Sequence, residues 1–306
     1  MTAARTLAEP RGKTAWAAVV VNHNAGSLLL DCVESLLADD STGSPPEIVV
    51  VDNASTDGSD AALEAKHPDV VLIRPGANLG YARAANLGIA ATTAGVVAVL
   101  NPDTTVQRGV GDTFVARFEH EPRLGAIGPW ISNPDGSRYP SARSEPSTTD
   151  AIGHALLGRV APGNPFTRTY RQLDADPDTP RHVDWVSGAA IWLRREALDA
   201  TGGWDERFFL FFEDLDLCRR LEAGGWDVVY EPAGRVCHVV GASRERRRYR
   251  SIYEHHRAAY LYAAKWWSGP RRALLPAAAA LLAGRGVALA AREATVGRRG
   301  PAKVTR

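Results

Sequence analysis

The sequence predicts an α/β fold with a mainly parallel central sheet. In the N-terminal half, short β-branched runs alternate with segments of helical spacing, which is the pattern of βαβ units with right-handed crossovers. Polar clusters follow three of these runs, and open α/β sheets bind ligands beyond the carboxyl ends of their strands. No Gly-x-Gly-x-x-Gly loop follows the first run, which disfavours a dinucleotide-binding dehydrogenase.

The elements of the first half follow from these runs in order. Each predicted strand is a short β-branched stretch, and each helix repeats apolar residues at helical spacing or is rich in alanine. The predicted strands are 15–21, 47–51, 70–73 and 95–100, and the predicted helices are 26–37, 59–66 and 80–91. The polar clusters after the strands read NHN, DNASTDGS and NPD. They place the candidate site at one edge of the sheet.

The second half has a different pattern. From about Pro129 to about Arg181 the chain is rich in Pro, Ser, Asp and Arg, and we expect loops there. A compact unit is expected from Val183 to Val240, and a helix near 252–267. A basic tail follows.

Composition and charge are those of a globular protein with an uneven charge distribution. The chain has 306 residues, of which 45% are hydrophobic and 23% charged, with a formal net charge of +1. The segment from Arg271 to Arg306 contains a single acid, Glu293, among many basic residues, which indicates an anionic partner. Three scattered cysteines give no disulfide framework or zinc knuckle.

Targeting signals are not evident. The N-terminus lacks the apolar core of a signal peptide, and no uncharged apolar run reaches the roughly 18–20 residues of a membrane-spanning helix. The longest such run, 273–284, is interrupted by Pro276. We therefore expect a cytoplasmic protein that is soluble or peripheral on the cytoplasmic face of a membrane.

Two acids follow predicted strands directly. Asp103 ends the NPD cluster, where a carboxylate is suited to hold Mg²⁺ or Mn²⁺ against a diphosphate, although Asn-Pro-Asp also forms an ordinary Asx turn. Asp52 ends EIVVVD, where it would accept the imide N–H of a uracil or thymine ring or simply begin a loop.

An acidic segment precedes Gly224 and Gly225. Glu213, Asp214 and Asp216 begin a predicted helix, where acids commonly complement the helix dipole. Leu217, Cys218 and Leu221 follow Asp214 by three, four and seven residues, so Asp214 shares the apolar face of that helix. A carboxylate in such a setting can serve as a general base. His238 follows a strand-like run, and it is either a packed histidine or a metal ligand beside Asp103.

Taken together, the motifs resemble the family 2 inverting glycosyltransferases over about residues 15–245. In chain order they read VVVNHNAG, EIVVVDNASTDGS, NLGYARAANLGI, VAVLNPDTTV, WVSGAAIWLRREAL, GGWDERFFLFFEDLDLCRRLEAGGWDVVYEP and HVVGAS. The segment PDGSRYPSARSEPS resembles bacterial rhamnosyltransferases, and within them actinobacterial enzymes that act on polyprenyl-diphosphate-linked GlcNAc. The resemblance implies a Rossmann-like fold of the GT-A type with a C-terminal helical basic extension.

The resemblance also implies roles for particular residues. Asp214, with its neighbour Glu213, would be the catalytic base, and Asp103 and His238 would hold a divalent metal, Mg²⁺ or Mn²⁺. The implied donor-binding residues are Asn22, His23, Asp52, Asn78, Gly80, Arg83, Asn101 and Asp103, and the implied acceptor-binding residues are Trp185, Ser187, Gly188, Trp204 and Arg143.

Two positions depart from the family pattern. Asn101 stands where many relatives have the first acid of a DXD motif, so metal binding depends more on Asp103. His23 stands where a tyrosine is frequent in the opening loop.

The implied reaction is inverting transfer of a sugar, with L-rhamnose from dTDP-rhamnose as the expected donor group. The acceptor would be a hydroxyl of a lipid-diphosphate-linked sugar in cell-wall or surface polysaccharide synthesis, and no nucleic acid is expected as a partner. The chain would divide into a flexible N-terminus (1–14), a nucleotide-sugar-binding half (15–128), an acceptor-binding and catalytic half (129–243) and a basic helical extension (244–306) that contacts a membrane or forms a solvated face.

Other interpretations remain open at this point. The same fold serves UDP-galactofuranose, UDP-GlcNAc and GDP-mannose donors, and the sequence does not separate them. A nucleotidyltransferase is disfavoured because NHNAG offers no cation. A non-catalytic sugar- or lipid-binding protein with the same fold is a further alternative, since fold alone does not establish activity.

Overall fold

A computed structural model describes residues 16–39, 45–145, 147, 150, 153, 157–158, 161–239 and 248–297. The flexible N-terminus expected at 1–14 lies outside the described residues, as do the arginines between 244 and 247 and the tail from 298 onward.

Strands and helices alternate through the first half and become less regular in the second. The strands are β1 (Trp16–Asn22), β2 (Glu47–Asp52), β3 (Val71–Ile73), β4 (Val96–Leu100), β5 (Thr104–Val106), β6 (Leu124–Ser132), β7 (Arg138–Tyr139), β8 (Ala142–Arg143), β9 (Arg181–His182), β10 (Trp185–Val186), β11 (Ala190–Arg194) and β12 (Asp227–His238). The helices are α1 (Leu28–Leu37), α2 (Ser59–Lys66), α3 (Tyr81–Ala90), α4 (Val110–His120), α5 (Pro165–Tyr170), α6 (Arg195–Thr201), α7 (Glu213–Ala223), α8 (Arg248–Trp266) and α9 (Leu275–Gly297). A short 3₁₀ helix, Gly269–Leu274, joins α8 and α9.

One large sheet organises the described chain, in the order β3-β2-β1-β4-β11-β6-β12-β5. Strands β1 to β4 pair in parallel, and so do β6 and β12, as the alternating pattern predicts. Strand β11 is inserted antiparallel between β4 and β6. The α/β class with a mainly parallel central sheet is confirmed, and the four strands and three helices expected before residue 101 are all present.

The expectation of loops from about Pro129 onward is partly wrong, because strand β6 (Leu124–Ser132) continues past Pro129. Its sequence, LGAIGPWIS, contains two glycines and a proline that normally interrupt strands. Both glycines are required by close packing: a Cβ at Gly125 would lie 2.7 Å from Trp226 Cβ, and one at Gly128 would lie 2.5 Å from Val186 Cβ. Tertiary contacts therefore override the local signal here.

Apolar side chains bury both faces of the sheet. Val19 and Val21 face the layer formed by α3 and α7, whereas Ala18 and Val20 face α1 and α4. Successive side chains of β1 thus point to opposite faces of the sheet, and helices cover both faces. It leaves the ends of the strands, rather than the faces of the sheet, available for polar side chains.

Helix α8 packs on the domain through buried Ala258, Tyr262 and Ala263. Near its end Lys265 Nζ and Trp266 Nε1 bond the carboxylate of Asp216, which is fully buried in α7, at 2.8 and 2.9 Å. From the sequence, Trp266 and Trp267 beside Lys265 would suit a membrane interface, but Lys265 and Trp266 are held against α7 by these bonds.

Helix α9 changes the expectation about membrane-spanning segments. The segment Gly269–Thr295 is long and apolar enough to cross a membrane by length and composition, with a mean hydropathy of 1.7, and its apolar window is not buried against the rest of the protein. The expectation from sequence required an uncharged run, which ends at Gly284, and it counted Pro276 as an interruption of that run. That proline lies in the first turn of α9, where a helix tolerates it.

Candidate active site

Asn22 and Asp52 end the neighbouring strands β1 and β2 and face each other in the parallel register. Both are buried, and Asn22 Nδ2 donates to Asp52 Oδ1 at 2.8 Å. The Ser55 N–H donates to Asp52 Oδ2 at 3.0 Å, so the carboxylate also fixes the turn that follows β2. The Asn22–Asp52 pair is therefore held in place at the carboxyl ends of β1 and β2.

Asn53, the residue after Asp52, holds the loop before α3 against the ends of these strands. Its side chain accepts from the Leu79 N–H at 2.7 Å and donates to the Gly80 carbonyl at 3.1 Å. Asn78 Oδ1 accepts from the Gly80 N–H at 3.0 Å. Gly80 has a φ of 85°, and a Cβ there would lie 2.7 Å from the Phe209 carbonyl oxygen. Only glycine fits at this position.

Two further residues of the expected donor site, His23 and Arg83, lie outside this buried group. His23 Nδ1 lies 2.9 Å from the Asn53 carbonyl oxygen, which fixes the ring against the turn. The Arg83 side chain is 59% exposed, and its Nε lies 3.7 Å from Glu206 Oε2. Arg83 is therefore available to a ligand at the rim rather than held in the interior.

Asp103 and His238 are brought together by the pairing of β12 with β5. In that antiparallel register His238 lies opposite Thr104, one residue after Asp103. His238 Nε2 lies 3.1 Å from Asp103 Oδ1, and both side chains are buried. Asn101 Nδ2 lies 3.4 Å from the same histidine nitrogen. The Nδ1 atom of His238 has no hydrogen-bond partner among the described residues.

These residues fit a divalent cation in number and type. A carboxylate oxygen and an imidazole nitrogen face each other in a buried position, and Mg²⁺ needs only one or two protein carboxylates when phosphate oxygens and water complete its shell. Within the described ranges no group of three His, Cys, Asp or Glu side chains has the arrangement of a metal site. A metal here would depend on a ligand for the rest of its coordination.

Glu213 and Asp214 begin α7 directly after two strained residues. Phe211 and Phe212 have φ values of 71° and 66°, a left-handed conformation that non-glycine residues adopt rarely. Glu213 is buried, and its Oε2 has no partner in the part of the chain that is described. Helical spacing predicted Asp214 as the acid on the apolar side. In the structure Glu213 and Asp216 are buried, whereas Asp214 is half-buried.

The two acids differ in electrostatic environment. Burial and the charge of Asp214 raise the pKa of Glu213 well above its ordinary value. Burial also raises the pKa of Asp214, but N–H groups of Gly188 and Leu215 and the charge of Arg143 act in the opposite direction. We infer that Asp214 is the member of the pair that ionises first and that Glu213 keeps its proton.

Tyr81 connects the two acidic sites. Its hydroxyl donates to the Gly188 carbonyl oxygen at 2.7 Å. Burial raises the pKa of this hydroxyl well above its usual range, and the charges of Glu213, Asp214 and Asp103 act in the same direction. The tyrosine therefore stays protonated and lies within electrostatic reach of all three carboxylates.

Arg143 lies beside Asp214 in a group of aromatic rings. Its guanidinium carbon lies 4.8 Å from the centroid of the Trp185 ring and 5.6 Å from that of Tyr170. Its Nη atoms bond the Tyr139 and Tyr170 hydroxyls at 3.2 Å each. A cation is thus fixed next to the acids without pairing directly with them.

The other expected acceptor residues divide between the cleft and the core. Gly188 contacts Asp214, and Ser187 is buried in the preceding turn, where its N–H donates to the Ser141 carbonyl at 2.8 Å. Trp204 is 1% exposed and packs edge-on against Tyr81, with ring centroids 5.8 Å apart. The expectation that Trp204 binds the acceptor is corrected, because its side chain is buried in the core, where it packs against the Tyr81 ring.

Two tyrosines of the site were not singled out from the sequence. Tyr81 follows the NLG turn at the start of α3, and Tyr139 lies in the SRYPSAR segment, where its ring contacts His238 with centroids 5.7 Å apart. Both lie within motifs that carry the family resemblance. Their role depends on contacts with residues about one hundred positions away, which local spacing does not reveal.

The arrangement has the parts of a displacement site. One edge of the sheet carries the Asn22–Asp52 pair and the buried Asp103–His238 pair, and the turn at Gly188 and Ala189 joins this edge to the Asp214 carboxylate at the start of α7. A half-buried carboxylate with a raised pKa is suited to take a proton from a hydroxyl group.

Comparison with known proteins gives a family match. The sequence profile of Glycosyl transferase family 2 matches residues 17–201. A curated relative from Mycobacterium tuberculosis, named N-acetylglucosaminyl-diphospho-decaprenol L-rhamnosyltransferase, is 39% identical over 278 residues, which cover 86% of this chain and 90% of the relative.

Solved structures share the fold at low sequence identity. The S. aureus protein TarS, residues 1–349, superposes with a TM-score of 0.56 and 14% identity over 89% of this chain and 71% of TarS. The mannosyltransferase PcManGT from Pyrobaculum calidifontis, solved in complex with GDP-Man and Mn²⁺, gives a TM-score of 0.53 and 17% identity over 93% of this chain and 80% of its own. The GT-A type fold implied by the sequence resemblance is confirmed.

Proposed function

The chain belongs to glycosyl transferase family 2, and from this premise we propose that it transfers L-rhamnose from dTDP-rhamnose to a hydroxyl of GlcNAc carried on a polyprenyl diphosphate. That the chain is a glycosyltransferase follows from the family match and from the relative that it covers almost completely. The rhamnosyl donor and the lipid-linked acceptor are supported by the name of that relative. Such a product belongs to cell-wall or surface polysaccharide synthesis.

The observation that carries the proposal is the position of Asp214 relative to Asp103. The Gly188 N–H donates to Asp214 at 2.9 Å, and the next residue, Ala189, accepts from the N–H of Asn101, two residues before Asp103, at 2.9 Å, so both carboxylates lie near the same turn. Inverting transfer needs a base on the acceptor side of the sugar and charge stabilisation on the diphosphate side. The two carboxylates supply one group for each side.

In the proposed reaction Asp214 removes the proton from the acceptor hydroxyl. The acceptor oxygen forms a bond to the anomeric carbon from the face opposite the diphosphate, and the bond from that carbon to the diphosphate oxygen breaks. The electron pair of the broken bond leaves with the nucleotide diphosphate, and the configuration inverts in a single displacement. General-base assistance of this kind is typically worth about 10²–10⁴-fold in rate.

Glu213 is proposed to keep the pair in its reactive state. Its pKa is raised well above the ordinary value by burial and by the charge of Asp214, so it remains neutral while Asp214 is ionised. A second charge in the same place would oppose ionisation of Asp214. Arg143 acts in the other direction and stabilises the ionised base.

The donor side rests on the residues at the strand ends. We propose that Asp52 and Asn22 bind the nucleobase of the donor and that Asn78, Gly80 and Arg83 border the rest of the nucleoside. His23 and Asn101 would border the donor diphosphate. A divalent ion held by Asp103 and His238 would neutralise negative charge on the leaving diphosphate. The mannosyltransferase with the same fold was solved with Mn²⁺ and a nucleotide sugar, which supports such an ion here.

We further propose a cytoplasmic enzyme that contacts the membrane through its C-terminal region. The apolar residues of α9 are exposed, with Leu281 at 52% and Val287 at 70% of their surface. A lipid-linked acceptor brings its substrate sugar to the membrane surface. In this division residues 15–128 bind the donor, 129–243 bind the acceptor and carry the base, and 244–306 contact the lipid.

Vesicle binding tests this last part without disturbing α8. Leu281→Glu and Val287→Glu should weaken co-sedimentation with vesicles of phosphatidylglycerol and phosphatidylcholine. Val71→Glu is the matched control, since Val71 is 45% exposed on β3. Equal binding of all three variants and the wild type would contradict membrane contact through α9.

A donor panel tests the proposed reaction. The purified protein is incubated with GlcNAc linked through a diphosphate to a short prenyl chain, with Mg²⁺ or Mn²⁺, and with one nucleotide sugar at a time. dTDP-rhamnose should give a product heavier by one deoxyhexose in mass spectrometry, above the signal from UDP-galactofuranose, UDP-GlcNAc and GDP-mannose. A larger product signal from another donor would overturn the rhamnosyl assignment, and no product with any donor would overturn the proposed reaction.

A further inference from the structure

Four arginine side chains form one contiguous group on the acceptor side of the site. They are Arg138 in β7, Arg143 in β8, Arg171 after α5 and Arg181 in β9, and we name them the arginine cluster. In the part of the chain that the structure describes, no carboxylate lies within 4.0 Å of any of these four guanidinium groups, whereas Arg74, Arg117 and Arg220 each have such a partner. This concentration of unpaired positive charge has no structural counterpart within the described protein.

Short contacts connect the members of the cluster. Arg181 Nε donates to Gln172 Oε1 at 3.0 Å, and Gln172 Nε2 donates to Ser144 Oγ at 3.1 Å, directly beside Arg143. Arg171 precedes Gln172 and is close enough to Arg143 for the two charges to interact. Arg138 precedes Tyr139, whose hydroxyl accepts from Arg143 at 3.2 Å, so the four side chains form one group.

Several N–H groups of the cluster are buried without an acceptor. Nη2 of Arg138, Nε of Arg171 and Nη2 of Arg181 have no hydrogen-bond partner among the described residues and almost no contact with solvent. A buried N–H group of a guanidinium that lacks an acceptor is unfavourable, because it has lost its hydrogen bonds to water without replacement. The arrangement indicates an anionic acceptor group that the protein itself does not supply.

The electrostatic environment agrees with this geometry. Burial, followed by the positive charge of Arg143, lowers the pKa of Arg171. Burial lowers the pKa of Arg181, and the charge of Arg138 acts in the same direction. The Asp176 carboxylate is bonded by Thr179 Oγ1 at 2.7 Å, and Arg181 donates instead to the Asp176 backbone carbonyl. The compensating charges of Asp176 on Arg181 and of Asp214 on Arg143 therefore act without a direct ion pair.

We propose that the arginine cluster binds the diphosphate group of the acceptor. Guanidinium groups are the preferred protein partners of phosphate oxygens because they donate in a planar, paired geometry. The cluster begins at Arg143, which pairs with Trp185 three residues before Gly188, and the Gly188 N–H bonds Asp214, so a diphosphate bound there places the attached sugar next to the base. This inference rests on the proposed function, which supplies a diphosphate-linked acceptor.

The donor also carries a diphosphate, and Tyr139 separates the two locations. One part of its ring contacts His238 in the candidate metal pair, while its hydroxyl accepts from Arg143 at 3.2 Å. The donor diphosphate belongs on the His238 side of this tyrosine. The acceptor diphosphate belongs on the arginine side.

The test compares ligands with and without a diphosphate. Arg138→Gln and Arg171→Gln should each raise the Kd for inorganic pyrophosphate and the KM for prenyl-diphosphate-GlcNAc by about tenfold or more, as expected for the loss of a hydrogen bond to a charged group. The KM for octyl-GlcNAc, which has no phosphate, and the Kd for dTDP should stay unchanged. Arg123→Gln is the matched control, because the Arg123 side chain is 76% exposed and lies outside the cluster.

Each outcome decides the proposal. An equal loss of dTDP affinity in the two variants would assign the cluster to the donor and overturn the proposal, and unchanged affinity for pyrophosphate and for the lipid-linked acceptor would also overturn it. Melting temperatures within the range of the control exclude misfolding. The pyrophosphate and dTDP titrations involve no transfer step, so failure of rhamnosyl transfer in the donor panel remains distinguishable from failure of this site.

Discussion

The Gly188 N–H donates a hydrogen bond to Asp214 Oδ2 at 2.9 Å, and a methyl group on Gly188 would lie 3.2 Å from Asp214 Cβ. The turn between β10 and β11 therefore fixes the proposed base from the side opposite α7. The same glycine accepts the Tyr81 hydroxyl through its carbonyl. Gly188 thus couples the position of the base to that of the Tyr81 side chain.

Gly188→Ala should lower kcat by about tenfold while leaving the melting temperature nearly unchanged. The added Cβ requires Asp214 to move by a few tenths of an ångström, and misplacement of a reacting group by about 1 Å costs on the order of 100-fold. Steady-state kinetics with saturating donor measures the effect. Gly163→Ala is the control, since a Cβ added at Gly163 would have no other atom within 4 Å. Equal kcat values for both variants would show that Asp214 is not positioned by Gly188.

The activity should rise with pH along an acidic limb that lies above the ordinary range of an aspartate. Burial raises the pKa of Asp214, and the base acts only when it is deprotonated. The charge of Arg143 lowers that pKa, so Arg143→Gln should shift the acidic limb to higher pH. The profile of kcat/KM between about pH 5 and pH 9 measures this shift. A limb displaced to lower pH in the variant would contradict the proposed electrostatic role of Arg143.

Asp216→Asn should destabilise the fold by about 3–5 kcal/mol, because it leaves charged partners of a fully buried acid without a counter-charge. Asp216 accepts from Arg220 Nε at 2.8 Å as well as from Lys265 and Trp266 of α8. Urea unfolding measures the change. Asp174→Asn breaks only an exposed pair with Arg168 and should cost at most about 1 kcal/mol. Similar losses for the two variants would contradict a structural role for the contact between α7 and α8.

Asp103→Ala should abolish the metal dependence of donor binding. In the wild type we expect the thermal shift caused by dTDP to increase with Mg²⁺ or Mn²⁺ and to return to its metal-free value with EDTA. In the variant the shift should be small and independent of metal, since the only carboxylate of the proposed pair is gone. His238→Gln should give an intermediate result. A full metal-dependent shift in Asp103→Ala would place the ion elsewhere.

The first half of the fold was predictable because local and tertiary signals agree there. Runs such as EIVVVD are β-branched, buried on both faces and followed by turn residues, so composition alone marks the strand β2. Strand β6 was missed because Gly125 and Gly128 break the local pattern. Their reason is packing against Trp226 and Val186, which are distant in sequence.

The site was predictable only in part for a similar reason. Asp103 was identifiable from its place after β4, but its contact with His238 depends on a strand pairing across 135 positions. Tyr81 acquires its role from Gly188, which is 107 residues away. Conversely, the family resemblance implied that Trp204 binds the acceptor, yet its side chain is buried against Tyr81.

The most direct test of the proposed mechanism is the turnover of Asp214→Asn with dTDP-rhamnose and prenyl-diphosphate-GlcNAc, measured together with its affinity for dTDP. We expect kcat to fall by about 10²–10⁴-fold, the range of general-base catalysis, while the Kd for dTDP stays within about twofold of the wild type. Glu213→Gln should keep much more activity, because Glu213 is neutral in the active pair. Turnover of Asp214→Asn at the wild-type rate would contradict the assignment of Asp214 as the base.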